Sequence, residues 1–152
     1  MEFQFNDGGR EAAGYKGKAS DCVTRAIAIA TGKPYQEVYD AINECAAGER
    51  TGKKKKGISS ARTGVYKQTA RKYLASIGWK WTPTMFIGQG CKVHLKASEL
   101  PAGRLIVEVS KHTVAVIDGV IFDNHDCSRG ENRCVYGYYS IAHATDISDL
   151  IF

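Results

Sequence analysis

The chain has 152 residues, 43% of them hydrophobic, and a formal net charge of +5. This length and hydrophobic content suffice to bury one core but hardly two, so we expect a single domain over residues 1–152. No apolar run is long enough to cross a bilayer, and the polar residues 1–5 do not make a signal peptide, which argues against a membrane partner and predicts a cytoplasmic protein.

An amphipathic helix is predicted over residues 20–30, where apolar side chains recur at the i, i+3, i+4, i+7 spacing of one buried face: Val23, Ala26, Ile27 and Ala30. Ser20 or Asp21 can cap this helix, and Gly32 ends it. Cys22 therefore falls in the first turn. Unpaired backbone N–H groups and the positive end of the helix dipole favour a thiolate over a thiol at that position.

A second helix is predicted over residues 35–45 and a third over residues 63–77, ending at Gly78. Between them, Lys53 to Lys56 belong to a glycine-flanked basic cluster that we interpret as a mobile surface loop. Several lysines can bind a phosphate backbone, but no aromatic platform or known nucleic-acid motif lies beside these. We therefore expect no specific nucleic-acid binding.

A β-hairpin is predicted near residue 118, because Asp118-Gly119 lies between two apolar runs. A two-residue loop at this dipeptide pairs Ile117 with Val120, and the pairing then continues to Ala115 and Phe122. Side chains alternate between the two faces of a strand, so this register also decides which polar residues of the two strands share a face.

The hairpin register places His112 and Asp123 on the same face as diagonal neighbours, close enough for the carboxylate to orient the imidazole ring. Such a carboxylate fixes the tautomer of the ring and leaves its other nitrogen facing a nucleophile. A hairpin loop with an odd number of residues would reverse the parity and select Asn124 as the third member instead. Together with Cys22, these residues predict a catalytic Cys22–His112–Asp123 triad.

The order of a cysteine on an early helix, a histidine on a strand and an aspartate or asparagine on the next strand resembles papain-like cysteine peptidases, including bacteriocin-processing and related bacterial peptidases. Three stretches are more narrowly similar to a group of small phage and prophage proteins: residues 17–28, 90–95 and 112–123. The resemblance spans nearly the whole chain. It implies an α+β papain-like fold with N-terminal helices packed on a C-terminal antiparallel β-sheet, in the host-cell cytoplasm if the protein is phage-encoded.

One departure from the resemblance concerns the oxyanion hole, which in papain-like enzymes combines the backbone N–H of the cysteine with a glutamine shortly before it. In this chain Lys16 stands at the glutamine position. The backbone N–H of Cys22 is then one donor, and the second donor stays open among Gln4, Asn6, Lys16, Lys18 and Ser20. Tyr15, Trp79 and Trp81 are candidate walls of the cleft from their aromatic character.

The five cysteines are an odd number in a chain without an export signal, which predicts reduced thiols rather than a disulfide framework. Cys91 and His94 have C-x-x-H spacing, and three more candidate zinc ligands follow the hairpin: His125, Cys127 and Cys134. However, a strand over residues 91–95 would send Cys91 and His94 to opposite faces. We therefore expect no metal and no cofactor, and we interpret His94 and His143 as structural. His125 shares the predicted face with Asp123 and could compete with His112 for the role of base, but its position past the hairpin is more typical of a solvent-facing residue.

These patterns together predict a cysteine hydrolase that acts on a peptide, isopeptide or other amide bond through a thioester acyl-enzyme. Its expected substrate is a protein or peptide, including acidic ones that the lysine cluster would attract. The alternative is a non-catalytic phage-type binding protein that keeps a papain-like scaffold and uses a basic surface against a host protein or nucleic acid. Oligomeric state stays open.

Overall fold

The computed structural model describes residues 1–52 and 57–142, which form three helices and one six-stranded sheet. The helices are α1 (Cys22–Thr31), α2 (Tyr35–Ala46) and α3 (Lys67–Ser76), and the strands are β1 (Glu2–Phe5), β2 (Trp79–Pro83), β3 (Arg104–Val109), β4 (His112–Ile117), β5 (Val120–Asp123) and β6 (Val135–Ile141). The α+β class expected from the sequence is confirmed.

The sheet is mixed rather than antiparallel, with the strand order β1-β5-β4-β3-β6-β2. β1 at one edge runs parallel to β5, so that Phe3 lies opposite Ile121, whereas the other neighbouring strands are antiparallel. The expectation of a purely C-terminal antiparallel sheet is therefore wrong at this edge. Residues 2–5 are too few to give a strand signal of their own and become a strand by pairing with β5.

Both faces of the sheet are covered by apolar side chains. One cluster packs the three helices against the sheet and includes Ile27, Val38, Leu74, Ile106 and Tyr139. The second cluster lies on the opposite face and includes Leu95, Leu105, Val107, Val114 and Ile121. Successive side chains of a strand point to opposite faces and so belong to the two clusters in turn, as a sheet buried on both sides requires.

The first two helices lie where the sequence predicts them, whereas α3 begins later. The prediction of residues 35–45 for α2 is confirmed, and Gly32 ends α1 with a φ of 74°. α3 begins at Lys67 instead of residue 63, because Ser60 and Gly64 form an antiparallel bridge and the Tyr66 N–H donates to Ser59 Oγ at 2.9 Å. These contacts hold the preceding residues in a turn.

The predicted hairpin is confirmed with its register. Ile117 pairs with Val120, and Ala115 pairs with Phe122. The loop residues Asp118 and Gly119 have φ values of 48° and 80°, and two positive φ angles are the requirement of a type I′ turn. His112 begins β4, and Asp123 ends β5, so this register brings the two residues to the same end of the sheet.

No helix within residues 1–52 and 57–142 combines the length and the apolar character needed to span a bilayer. The basic cluster Lys53 to Lys56 and His143 lie outside the described residues, so the expectations about them stay predictions.

Candidate active site

Cys22 is the first residue of α1, and its thiol lines a cleft of about 290 Å³ together with His112. At this position the backbone N–H of Cys22 precedes the intrahelical hydrogen bonds, because the first turn of a helix leaves its donors unpaired. The same turn carries the positive end of the helix dipole. The helix thus offers both a thiol and a backbone donor to whatever occupies the cleft.

His112 and Asp123 form the ion pair that the hairpin register predicts. His112 Nε2 lies 2.6 Å from Asp123 Oδ2, and both side chains are largely buried. Because Nε2 is taken by the carboxylate, Nδ1 is the ring nitrogen left to face a nucleophile. The Asp123 carboxylate also accepts a hydrogen bond from the backbone N–H of Asn124 at 2.7 Å.

The charges in the cleft favour a thiolate–imidazolium pair. Burial alone would raise the pKa of Cys22, but the hydrogen bond and the charge of His112 outweigh burial and lower that pKa below its usual value. Burial alone would likewise lower the pKa of His112, but hydrogen bonds with Asp123, Cys127 and Cys22 raise it to about 11. At neutral pH the ring is therefore protonated, and the Cys22 thiol is shifted toward the thiolate.

A buried network of charged side chains holds Asp123 from behind. Arg25 donates from Nη1 to Asp123 Oδ1 at 2.5 Å and from Nε to Asp21 Oδ1 at 3.0 Å. The other oxygen of Asp21 accepts from the Tyr35 hydroxyl at 2.7 Å and lies 3.2 Å from Arg10 Nε. Asp21 is thus the N-cap residue by position, but its side chain makes no capping bond, contrary to the sequence prediction.

The wall of the Cys22 cleft is apolar, with polar groups at intervals. The apolar surface comes from five side chains: Val23, Ile27, Val65, Leu74 and Ile106. The polar groups come from four: Ser20, Lys67, Glu108 and Lys111. Glu108 is only 6% exposed, and burial raises the pKa of its carboxyl. A substrate in this cleft therefore meets a narrow apolar slot with a buried acid.

Among the five candidates for a second oxyanion donor, Ser20 is the one that lines the Cys22 cleft. Lys16 and Lys18 line a separate depression that contains Arg10 and Asp21. The Asn6 side chain accepts a hydrogen bond from the Gly8 N–H at 2.8 Å, and Gln4 lies exposed on β1. Of the five side chains considered as a second oxyanion donor, Ser20 is therefore the candidate that the geometry supports.

The three aromatic residues expected to form cleft walls lie elsewhere. Tyr15 packs against Tyr35 and Tyr39, with ring centroids 5.3 Å and 4.6 Å away. Trp79 is buried in the helix-side core, and Trp81 packs on Tyr139 at 4.7 Å without lining the cleft. The expectation is wrong because aromatic character alone does not distinguish a core position from a cleft.

The runner-up Asn124 does not orient His112. Its side-chain oxygen lies 2.6 Å from His125 Nδ1, and both residues are exposed. The His125 ring lies 5.1 Å from the His112 ring, so His125 is a neighbour of the site on its solvent side. Asp123 is the group that contacts His112.

The prediction that all five cysteines are reduced thiols is wrong for Cys91 and Cys134, which form a disulfide. Cys22, Cys45 and Cys127 are free. The absence of an export signal favours reduced thiols, but the bridge between His94 and Cys134 brings the sulfur atoms of Cys91 and Cys134 together, and this contact depends on the fold. Cys91 and His94 are also close, with Sγ 3.5 Å from Nε2, so their predicted placement on opposite faces is wrong as well.

Two groups of three side chains within the described ranges place metal-binding atoms close together: Cys91, His94 and Cys134, and His112, Asp123 and His125. The second group is a poor cation site, because the Arg25 guanidinium already pairs with Asp123 and would repel a metal ion. Acid–base and nucleophilic chemistry therefore describe this group better than metal binding.

Two buried charged residues of this region, Arg25 and Glu108, were not predicted from the sequence. Each carried a signal, since Arg25 is the one charged residue among the ten of α1 and Glu108 lies between Val107 and Val109 in a strand buried on both faces. A charged residue in such a position is rarely buried without a partner.

Comparison of the chain with protein-family models, with curated proteins and with solved structures finds no match. The chemistry of the cleft therefore has to be inferred from its own geometry.

Proposed function

We propose that this protein is a papain-like cysteine hydrolase that cleaves amide bonds, with Cys22 as the nucleophile. The observation that carries the proposal is the His112 ring, which contacts the Asp123 carboxylate at 2.6 Å, lines the same cleft as Cys22 and lowers the pKa of the Cys22 thiol. An acid, an imidazole and a thiol linked in this order are the parts of a Cys–His–Asp triad.

In the first step, the Cys22 thiolate attacks the carbonyl carbon of a peptide, isopeptide or other amide, and the carbonyl electrons move to oxygen. The backbone N–H of Cys22 donates to the oxyanion that forms, with the Ser20 hydroxyl as the nearby second donor. The protonated His112 then gives its proton to the nitrogen of the leaving amine as the carbon–nitrogen bond breaks. The acyl group remains on sulfur as a thioester.

In the second step, neutral His112 takes a proton from water, and the resulting hydroxide attacks the thioester carbonyl. The carbon–sulfur bond breaks, the carboxylic acid leaves, and the proton on His112 restores the thiolate–imidazolium pair. Asp123 stays ionised throughout and holds the ring in one orientation. Burial opposes the charge on Asp123, but the hydrogen bond and charge of His112, with smaller contributions from the Asn124 N–H and from Arg25, lower the pKa of that carboxyl and keep it ionised.

The Cys22 cleft supports a narrow substrate, because its volume of about 290 Å³ is at the small end of ligand pockets. Its apolar wall fits a short uncharged segment beside the scissile bond. The lysines at its rim, Lys67 and Lys111, favour a segment with an acidic group at one end.

The proposal predicts that Cys22 is far more reactive than an ordinary thiol near neutral pH. At pH 6.5 a cysteine with a pKa of about 8.5 is only about 1% thiolate. We therefore expect iodoacetamide to modify Cys22 at least about tenfold faster than Cys45, which is also half-buried and serves as an internal control. Peptide mass spectrometry after timed quenching measures both rates in the same sample.

The matched variant is His112→Asn, which removes the imidazole from the thiol and should bring the Cys22 rate down toward that of Cys45. Equal rates for the two cysteines in the wild-type protein, with no response to His112→Asn, would exclude the hydrolase. If Cys22 is the faster of the two cysteines, the bond that is cleaved can be identified from new amino termini in a cell lysate treated with the wild type but not with Cys22→Ala.

The non-catalytic binding alternative depends on the lysine cluster, which lies outside the described residues. It stays a prediction and is the reading that an unreactive Cys22 would favour.

A further inference from the structure

A second cluster of chemically competent side chains lies on loops that line no part of the Cys22 cleft. Cys91, His94 and Cys134 place their two sulfur atoms and one imidazole nitrogen within 4.8 Å of one another. Cys91 and Cys134 are joined as a disulfide with a Cα–Cα distance of 5.8 Å. The proposed hydrolysis uses none of these three residues.

The backbone holds the cluster in place from both sides. His94 and Cys134 lie opposite each other in an antiparallel bridge. Two backbone hydrogen bonds flank this bridge. The Leu95 N–H donates to the Arg133 carbonyl at 2.8 Å, and the Val135 N–H donates to the Val93 carbonyl at 2.8 Å. His94 and Cys134 thus lie on paired backbone segments, and their positions do not depend on the disulfide alone.

The imidazole of His94 is oriented as a metal ligand would be. Its Nε2 lies 3.5 Å from Cys91 Sγ, and its Nδ1 lies 3.3 Å from Glu99 Oε1. A carboxylate on one ring nitrogen fixes the tautomer with its lone pair on the other nitrogen, which is the usual support of a histidine bound to zinc. The nitrogen of His94 that carries the lone pair is therefore the one next to Cys91 Sγ, and Cys134 Sγ lies within 4.8 Å of it.

We propose that, when Cys91 and Cys134 are reduced, their thiolates and His94 Nε2 bind one Zn²⁺ ion, with water as the fourth ligand. In a tetrahedral zinc site with Zn–S of about 2.3 Å and Zn–N of about 2.05 Å, sulfur and nitrogen lie about 3.5 to 3.6 Å apart. The spacing of Cys91 Sγ and His94 Nε2 already matches this separation. Cys91 is exposed, which leaves the fourth position open to solvent.

The two states of the cluster interconvert by a balanced reaction. A thiol or phosphine reductant supplies two electrons to the Cys91–Cys134 bond, and two protons complete the two thiols. Zinc binding then displaces both thiol protons and forms two zinc–sulfur bonds. Either state ties the segment around residue 91 to the start of β6, so the cross-link persists in oxidising and in reducing surroundings.

Metal analysis of the full-length protein tests the proposal. The protein is reduced with a phosphine, incubated with zinc chloride without oxygen, and desalted. We expect about one equivalent of zinc for wild type and below about a tenth of an equivalent for Cys91→Ser and for His94→Gln. Cys45→Ser removes a thiol remote from the cluster and should retain the zinc. Cobalt substitution should give the thiolate charge-transfer and ligand-field bands of a tetrahedral site.

Glu99→Gln guards against a result that reflects misfolding, because it keeps all three ligands and changes a partly exposed side chain. It should lower zinc affinity about 10- to 100-fold, measured by competition with a chromogenic chelator, with an unchanged circular dichroism spectrum. Less than about a tenth of an equivalent in the reduced wild type, or a full equivalent in both Cys91→Ser and His94→Gln, would overturn the proposal. The reactivity of Cys22 is measured separately, so failure here leaves the proposed hydrolase untouched.

Discussion

The guanidinium of Arg25 joins two buried carboxylates from different parts of the chain, those of Asp21 and Asp123. Asp21 precedes the nucleophile, and Asp123 orients its base. One side chain therefore fixes the start of α1 to the end of β5, and it does so at the place where Cys22 must meet His112.

Replacing Arg25 by methionine should destabilise the fold by about 3–5 kcal/mol, because the change leaves two buried carboxylates without their shared cation. Urea unfolding at neutral pH measures the effect. Lys33→Met is the matched control, since it breaks a solvent-exposed pair at 3.2 Å between the turn before α2 and Glu37 in its first turn, and it should cost less than about 1 kcal/mol. Similar losses for the two variants would show that the buried network adds no stability.

At this scale the sequence predicted the contact between His112 and Asp123, because the parity of a two-residue hairpin is a local rule. It could not predict that Arg25 would bind Asp123, which lies 98 residues away. Partners so distant in sequence are selected by the packing of α1 against the sheet. The buried position of a charged residue signals only that some partner exists.

Among the elements, the β4–β5 hairpin controls the geometry of the candidate site. Its turn needs a positive φ at Gly119, and a Cβ added there would lie 3.1 Å from the Ala97 Cβ. Gly103 also has a positive φ, of 94°, but a Cβ there would meet no atom within 4 Å. The two glycines therefore separate backbone strain from steric contact.

Gly119→Ala should lower the free energy of unfolding by more than Gly103→Ala does. A left-handed conformation costs a residue with a Cβ about 1–2 kcal/mol, which both variants share, and only Gly119→Ala adds the close contact with Ala97. Urea unfolding of the two variants gives the difference. A larger loss for Gly103→Ala would mean that the turn relaxes around the added methyl group.

Elements with strong local signals were predicted, and those that depend on their neighbours were not. α1, α2 and the hairpin follow from apolar periodicity and turn residues. β1 has four residues, all exposed, and becomes a strand because β5 offers it a partner. The late start of α3 similarly reflects the bonds that residues 59–66 make with each other rather than their helix propensity.

For the whole molecule, the His112–Asp123 pair predicts a definite dependence of stability on pH. Burial opposes the charge on Asp123, but the hydrogen bond and charge of His112 hold its pKa below the ordinary 3.8. This contribution is present above about pH 4 and is lost as the pH falls further. The pKa of His112 is raised to about 11. The stabilisation that its charge provides is therefore complete below about pH 6.5 and is lost as the pH rises from 6.5 to about 11.

We therefore expect the stability difference between wild type and Asp123→Asn to be largest between about pH 4 and 6.5, at about 1–3 kcal/mol, and to shrink on both sides. Urea unfolding over a pH series measures it. Asp40→Asn, at an exposed position of α2, should show no such maximum. A difference that stays constant with pH would mean that the pair is not ionised in the folded state.

The architecture as a whole was predictable in class but not in its cross-links. Composition and periodicity indicated helices and one sheet, and the α+β class is confirmed. The Cys91–Cys134 disulfide joins residues 43 positions apart, and neither spacing nor cysteine count identifies such a pair. The three-dimensional path of the loop around residue 91 was needed to see it.

Both tryptophans of the chain, Trp79 and Trp81, belong to β2, the edge strand farthest from β1. Intrinsic tryptophan emission therefore reports on one border of the sheet, while the helix that carries Cys22 contains no indole chromophore. If that border detaches before the remainder, fluorescence-monitored denaturation will have an earlier midpoint than far-ultraviolet ellipticity. Coincident curves from the two probes would instead demonstrate that the strand melts together with the rest of the molecule.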